Sequence, residues 1–250
     1  MPEILIVFLA GLIAGAMNAA AGGGSFVSVP ALIFVGIPSV SANMSSTIAL
    51  YPGSLTSGWA YRKNFQPILN ASLKAMFLAT LTGGFVGAIL LLLTPSSAFD
   101  KIIPWLLLVG SLAFAFGPWI GKRLHRHWRS NTAFVLVAQF VLGVYGGYFG
   151  GAVGIMMMAV WSLLGLEDVK AMNAVKVVLV AAANTIAVIC FAFAGSVVWR
   201  ETLVMLVAAA LGGYAGARIT LRFSGAQIRF GISVINFAIT AIFFYTRFFR

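Results

Sequence analysis

Residues 11–30 read GLIAGAMNAAAGGGSFVSVP, and the fold turns on how this stretch is interpreted. It begins as an apolar helix with Gly11, Gly15, Asn18 and Gly22 spaced i, i+4, i+7, i+11, which places all four on one helical face. It then meets three consecutive glycines and, six residues later, Pro30. Glycine costs about 1 kcal/mol relative to alanine in a helix interior. Proline removes a backbone donor. The reading predicts that the helix opens between Asn18 and Pro30. Inside a bilayer, open backbone survives only where protein buries it or water reaches it.

The membrane itself follows from composition. The chain has 250 residues, 61% hydrophobic and 8% charged. A soluble domain carries about 25% charged residues, so a cytosolic enzyme, a disordered chain and a disulfide scaffold are excluded. Cys190 is the single cysteine and can form no intrachain disulfide. A helical span takes about 20 apolar residues, and eight main apolar segments are legible at 4–21, 40–60, 70–93, 102–120, 132–150, 171–194, 202–221 and 228–249. Two shorter runs, 26–35 and 152–164, are too brief to cross a core of about 30 Å and read as broken or re-entrant segments. The start, Met1-Pro2-Glu3, lacks the basic region of a secretory signal.

The net charge of +11 comes from short basic loops, Arg62 and Lys63 in one, Lys122, Arg123, Arg126 and Arg129 in another. That is the positive-inside pattern of a membrane protein rather than a nucleic-acid surface. It puts both loops on the cytoplasmic side.

The glycine face recurs. Gly11, Gly15 and Gly22 find matches at Gly143, Gly147 and Gly154, with Gly150 in the place of Asn18. Gly83-Gly84-x-x-Gly87-Ala88 returns as Gly212-Gly213-x-x-Gly216-Ala217, and Val40 and Ala42 correspond to Val169 and Ala171. Two patterns in the same order indicate two homologous halves, 1–124 and 125–250. Repeated halves are a transporter signature. Loop charges fit parallel and inverted halves equally, and a break inside the first segment favours inversion. In the second break, Ile155 and Met156 stand where Gly23 and Gly24 do, and Ser162 stands at the Pro30 position.

Candidate chemistry is sparse. Exposed N–H groups at a new helix N-terminus attract anions, so Asn18, Gly22, Gly23, Gly24 and Ser25, with Gly150, Gly151 and Gly154, are candidate anion contacts. Close packing through small residues is the alternative. Lys176 is the one cation placed well inside a predicted span, either facing an anion or snorkelling to the interface. Asn43, Ser46, Thr47, Asn173 and Asn184 could hydrogen-bond an oxyanion, or bond back to their own helices. Met156, Met157 and Met158 have no Cys or His beside them and read as packing. His125 and His127 have no acid nearby, so no metal site and no cofactor is expected. Trp105, Trp119, Trp128, Trp161 and Trp199 fall mostly near segment ends, as an aromatic belt does. All five acids, Glu3, Asp100, Glu167, Asp168 and Glu201, lie at segment ends or in loops. A cation pathway or carboxylate relay needs an acid inside a span, and a membrane enzyme needs a cluster of catalytic groups. The reading is a transporter of a small anion and not an enzyme. A passive anion channel and a non-transporting scaffold are the alternatives, and association into a homo-oligomer is open.

Two stretches carry a family resemblance. Gly11-x-x-x-Gly15-x-x-Asn18-x-x-x-Gly22-Gly23-Gly24-Ser25 with Pro30 and Leu32 resembles the N-terminal signature of the sulfite exporter TauE/SafE permeases. Ala171-Met-Asn173-Ala-Val-Lys176 through Asn184 to Ala194-Gly195-x-Val197-x-Trp199, and then Gly212-Gly213-Tyr214-x-Gly216-Ala217-Arg218, resemble their second-half signature. The chain departs from the family at the second break, which is poorer in glycine and lacks a proline near Ser162. The resemblance implies a bacterial inner-membrane protein that moves sulfite, organosulfonates or related anions.

Overall fold

The computed structural model describes residues 2–61, 71–124, 132–164, 166, 168–220 and 224–248. Arg62, Lys63, Arg126, Arg129, His125, His127 and Trp128 lie outside the described residues. All regular structure among the described residues is helical, in ten helices. They are α1 Pro2–Ala21, α2 Ser25–Phe34, α3 Ser39–Tyr61, α4 Leu73–Leu93, α5 Ser96–Leu124, α6 Thr132–Tyr148, α7 Val153–Leu163, α8 Val169–Phe193, α9 Trp199–Thr220 and α10 Gly225–Phe248. Five of them, α1, α4, α5, α8 and α10, combine the length and apolarity of a membrane span. Helix α6 is shorter at 17 residues. Helices α3 and α9 fall outside this set, α3 because Ser39, Asn43, Ser45, Ser46, Thr47 and Ser54 dilute its apolar run.

Helix starts obey local chemistry. Ser72 Oγ accepts from Ala75 N at 3.2 Å to open α4. Ser224 and Gln227 form a reciprocal capping box at the start of α10, with 3.3 Å and 3.0 Å bonds. Asp168 Oδ1 accepts from Ala171 N at 3.0 Å at the start of α8. Each such cap is worth about 1 kcal/mol.

The glycine stripes are contact surfaces between the two halves of the chain. Along α1 and α9, Gly11 faces Met205 and Ala208, Gly15 faces Ala209, Leu12 faces Gly212, and Ala16 faces Gly216. Rising numbers meet rising numbers, so the two helices run parallel. Along α4 and α6 the same pattern appears: Gly83 faces Phe140 and Val144, Gly84 faces Gly147, and Gly87 faces Val144 and Tyr148. In both pairs a Cβ on the glycine would collide with backbone of the facing helix, which is the close approach that small residues permit in membranes. Helices α5 and α10 instead cross antiparallel, since Trp105 packs edge-on to Phe244 and Ser111 shares a 3.2 Å hydroxyl contact with Thr240.

The expected breaks are present, and each is a hairpin. Helix α1 ends at Ala21, Gly22 takes φ +76°, and α2 starts beside α1, where a Cβ on Gly24 would lie 2.5 Å from Ala14 O. Helix α6 ends at Tyr148, Gly150 takes φ +77° and Ala152 φ +59°. Helix α7 then returns along α6, with Val153 against Gly146 and Trp161 Nε1 donating to Gln139 Oε1 at 3.2 Å. The first helix opens between Asn18 and Pro30 as expected, with Pro30 itself inside α2. In the second break the left-handed glycine is Gly150, while Gly154, which aligns with Gly22 in the sequence repeat, lies inside α7. The second helix therefore ends about one turn sooner along its glycine stripe.

Large apolar side chains cover the outside. Leu5, Leu9 and Ile13 are exposed along one face of α1, as a lipid-facing stripe would be. Trp105, Trp119 and Trp199 are about half exposed. Trp161 is not part of a belt: it is buried and bonded to Gln139. Arg218 stands 4.6 Å over the ring of Tyr214.

Candidate functional site

Both breaks open onto one cavity of about 360 Å³. The end of α1 gives it Asn18, Ala19 and Ala20, and the first break gives Gly22 and Ser25. Helix α3 adds Thr47, Leu50, Gly53 and Ser54, the second break adds Gly150, Val153 and Gly154, and α8 adds Asn173, Lys176, Val177, Val180 and Asn184. The spacings 47, 50, 54 and 173, 176, 180, 184 each trace one face of a helix. The volume is at the small end for ligand sites.

Polar groups dominate the chemistry of this space. Lys176 is the only formally charged residue among the described lining residues. Its stem lies against Gly154, where a Cβ would sit 3.0 Å from Lys176 Cδ and 3.1 Å from Cγ. Lys176 thus lines the cavity with its stem packed on the start of α7. Asn184 Nδ2 donates to Ser54 Oγ at 3.1 Å, and the hydroxyls of Tyr51 and Thr185 are 3.0 Å apart, so α3 and α8 are stitched together at one end of the site.

The helix ends supply backbone donors. The N–H groups of Phe26, Val27 and Ser28 are already used on the carbonyls of Gly23 and Gly24. Those of Ile155 and Met156 are used on Ala152 O. By position, the N–H groups of Gly23 to Ser25 and of Val153 and Gly154 stand outside the helical ladder. Beside the breaks, Phe26 and Phe149 are both buried and meet edge to face at 6.3 Å. Tyr145 adds a second edge-to-face contact to Phe149 at 6.1 Å. The two hairpins therefore join through an aromatic plug next to the cavity.

Nine of the expected contact residues come together here: Asn18, Gly22, Ser25, Thr47, Gly150, Gly154, Asn173, Lys176 and Asn184. Five do not line the cavity. Asn43 is buried and donates to Tyr148 O at 2.9 Å, pinning the end of α6. Ser46 is buried 2.6 Å from the Ser28 hydroxyl, joining α3 to α2. Gly24 packs on Ala14 and Leu50, and Gly151 packs on the Phe149 ring. Gly23 is buried at the break. Ser54 and Gly53 are lining residues that sequence reasoning missed; the hydroxyl-rich α3 was the available signal, but not its register. Met157 is fully buried, and no group of three or more His, Cys, Asp or Glu is gathered among the described residues.

The comparisons with known proteins agree with this architecture. A family model described as "Sulfite exporter TauE/SafE" matches residues 7–243. A "Probable membrane transporter protein" of Haemophilus influenzae is 27% identical over 239 residues, covering 95% of this chain and 93% of the relative. "Probable membrane transporter protein YfcA" of Escherichia coli K12 is 27% identical over 241 residues, 96% of this chain and 89% of that one. "Probable membrane transporter protein ORF9" of a Sinorhizobium species is 29% identical, covering 90% and 84%. No solved structure matches the chain.

Proposed function

The chain belongs to the sulfite exporter TauE/SafE family of membrane transporters, and we propose that it carries small sulfur-containing anions, such as sulfite or an organosulfonate, across the bacterial inner membrane. The observation that carries this reading is the cavity itself: two helix breaks, a lysine and several amides converge on a small space with no acidic lining residue among those described. Lys176 attracts the anion, N–H groups at the starts of α2 and α7 bond its oxygens, and Asn18, Asn173 and Ser25 orient it. Gly22, Gly150 and Gly154 shape the space by leaving it open. Thr47 and Asn184 frame its α3 and α8 walls.

In this reading residues 1–124 and 125–250 are duplicated, inverted halves, and transport proceeds by alternating access of one half against the other. The parallel α1/α9 and α4/α6 pairs and the antiparallel α5/α10 crossing support it. The packing of Phe26 on Phe149 is suited to closing one side of the cavity.

Uptake by proteoliposomes containing the purified chain tests this. Saturable counterflow of labelled sulfite or a sulfonate, lost in Lys176→Ala, is expected. Flux that never saturates would replace alternating access by a channel. No anion flux, with Lys176→Ala indistinguishable from the parent protein, would overturn the assignment.

A further inference from the structure

We propose that the cavity selects singly charged anions over doubly charged ones, and that Lys176 sets this limit. The proposal rests on the anion-transport reading above and adds a charge class to it. Charge accounting at the site is short. Lys176 contributes one positive charge, and none of the described lining residues is acidic. The acids among the described residues stay at helix ends, as Asp168 does when it caps α8.

Helix dipoles do not change the balance. The N-termini of α2 and α7 each present about half a positive charge. The C-termini of α1 and α6 end at the same two breaks and each present about half a negative charge. Ends of both signs meet at the cavity, so they orient an anion's oxygens without adding net charge.

A monoanion therefore makes the loaded site formally neutral. A dianion leaves one negative charge uncompensated in a protein interior, where an unpaired charge is expensive. The neutral loaded form is also the one that crosses the low-dielectric core most readily. None of the other described lining residues could take up a second charge, because Asn18, Asn173, Asn184, Ser25 and Thr47 are neutral at every physiological pH.

Thermal unfolding of the full-length purified chain, titrated with fixed-charge probes at equal ionic strength, tests the proposal. Methanesulfonate and isethionate are the monoanions; sulfate and sulfoacetate are the dianions. Stabilisation by bound ligand follows mass action. The monoanions are expected to bind at least about tenfold more tightly than the dianions. A second cation should abolish the preference. Thr47→Lys is suitable because Thr47 Oγ1 bonds only within its own helix, to Asn43 O at 2.9 Å. Asn173→Lys is the second variant, placing the charge one turn from Lys176 should the first fail to fold. Either variant is expected to gain about tenfold for dianions relative to monoanions. Dianions binding as tightly as monoanions to the parent chain would overturn the charge limit and leave the anion site standing. Folded second-cation variants with an unchanged preference would overturn Lys176 as its cause. Stabilisation by neither class would overturn the anion site itself.

Discussion

The two helix breaks share a shape and divide the chemistry between them. At the first, α1 ends, Gly22 turns left-handed and α2 folds back; at the second, α6, Gly150 and α7 do the same. Their surroundings differ. Ser46, on α3, is buried in a hydroxyl pair with Ser28 and contributes nothing to the cavity. Lys176 stands equally far along α8 and faces the cavity with its stem on Gly154. Asn43 of α3 latches the end of α6 through Tyr148 O, whereas Asn173, at the matching place on α8, lines the open space. The hairpins are also held differently. The second is pinned by buried Gln139, which donates to Thr80 Oγ1 at 2.8 Å and accepts from Trp161. The first packs through Val7, Ala10 and Leu32. Two hairpins of the same shape can thus be packed on both sides while one side alone supplies charge.

This contrast makes packing symmetric and chemistry asymmetric, and each half of that statement can be broken separately. The largest effect is expected on packing. Gly15→Val and Gly147→Val should both prevent stable folding, because each new side chain meets backbone of the facing helix, Ala209 O and Gly84 O respectively. Overpacking costs typically 1–3 kcal/mol and occasionally more, and a collision with backbone belongs at the upper end. Yield and monodispersity in size-exclusion chromatography read it out. If only one of the two variants failed, the packing would not be symmetric.

Next comes the charge. Lys176→Ala should weaken anion binding by about a hundredfold, the scale of about 3 kcal/mol expected for a charge-assisted contact. Ser46→Ala should leave affinity within about twofold. Isothermal titration with methanesulfonate separates them, and equal losses would erase the asymmetry.

A smaller and opposed pair involves the asparagines. Asn43→Ala should lower stability by about 1–3 kcal/mol, since it leaves Tyr148 O without its partner. Asn173→Ala should leave stability unchanged and weaken binding several-fold. Denaturation and titration of both variants give four numbers, and a crossed pattern is required. The mildest effect is expected from Gly154→Ala. Its methyl would sit 3.0–3.3 Å from the Lys176 stem and Val180, so the flexible lysine should shift slightly, with affinity reduced by about threefold and the fold intact. An unchanged affinity would mean that Gly154 does not steer Lys176.

Much of this fold was legible in the residues. Apolar segment lengths gave the helices, and the recurring glycine faces marked the helix pairs now seen in contact. Gly22 to Gly24 marked a break because three glycines favour an open backbone. Pro30 lies inside the short helix that follows the break. The second break falls between the runs 132–150 and 152–164, as read, but the left-handed turn of Ala152, φ +59°, was not legible. An L-residue pays roughly 1–2 kcal/mol there, and nothing in an alanine announces it. Site residues were harder. Asn43, Ser46, Thr47 and Ser54 look alike as a polar run on α3. Which of them faces the cavity depends on helix register and on partners far away in sequence, Tyr148 for Asn43 and Asn184 for Ser54.

The most direct test of the central claim locates the anion itself. Crystals of the full-length chain soaked in selenite, a sulfite analogue whose selenium scatters anomalously, would give its position without reference to any substitution. The account predicts an anomalous peak in the cavity between the two breaks, beside Lys176 and near the starts of α2 and α7. Selenium bound elsewhere, with the cavity empty at a concentration that stabilises the protein, would contradict it.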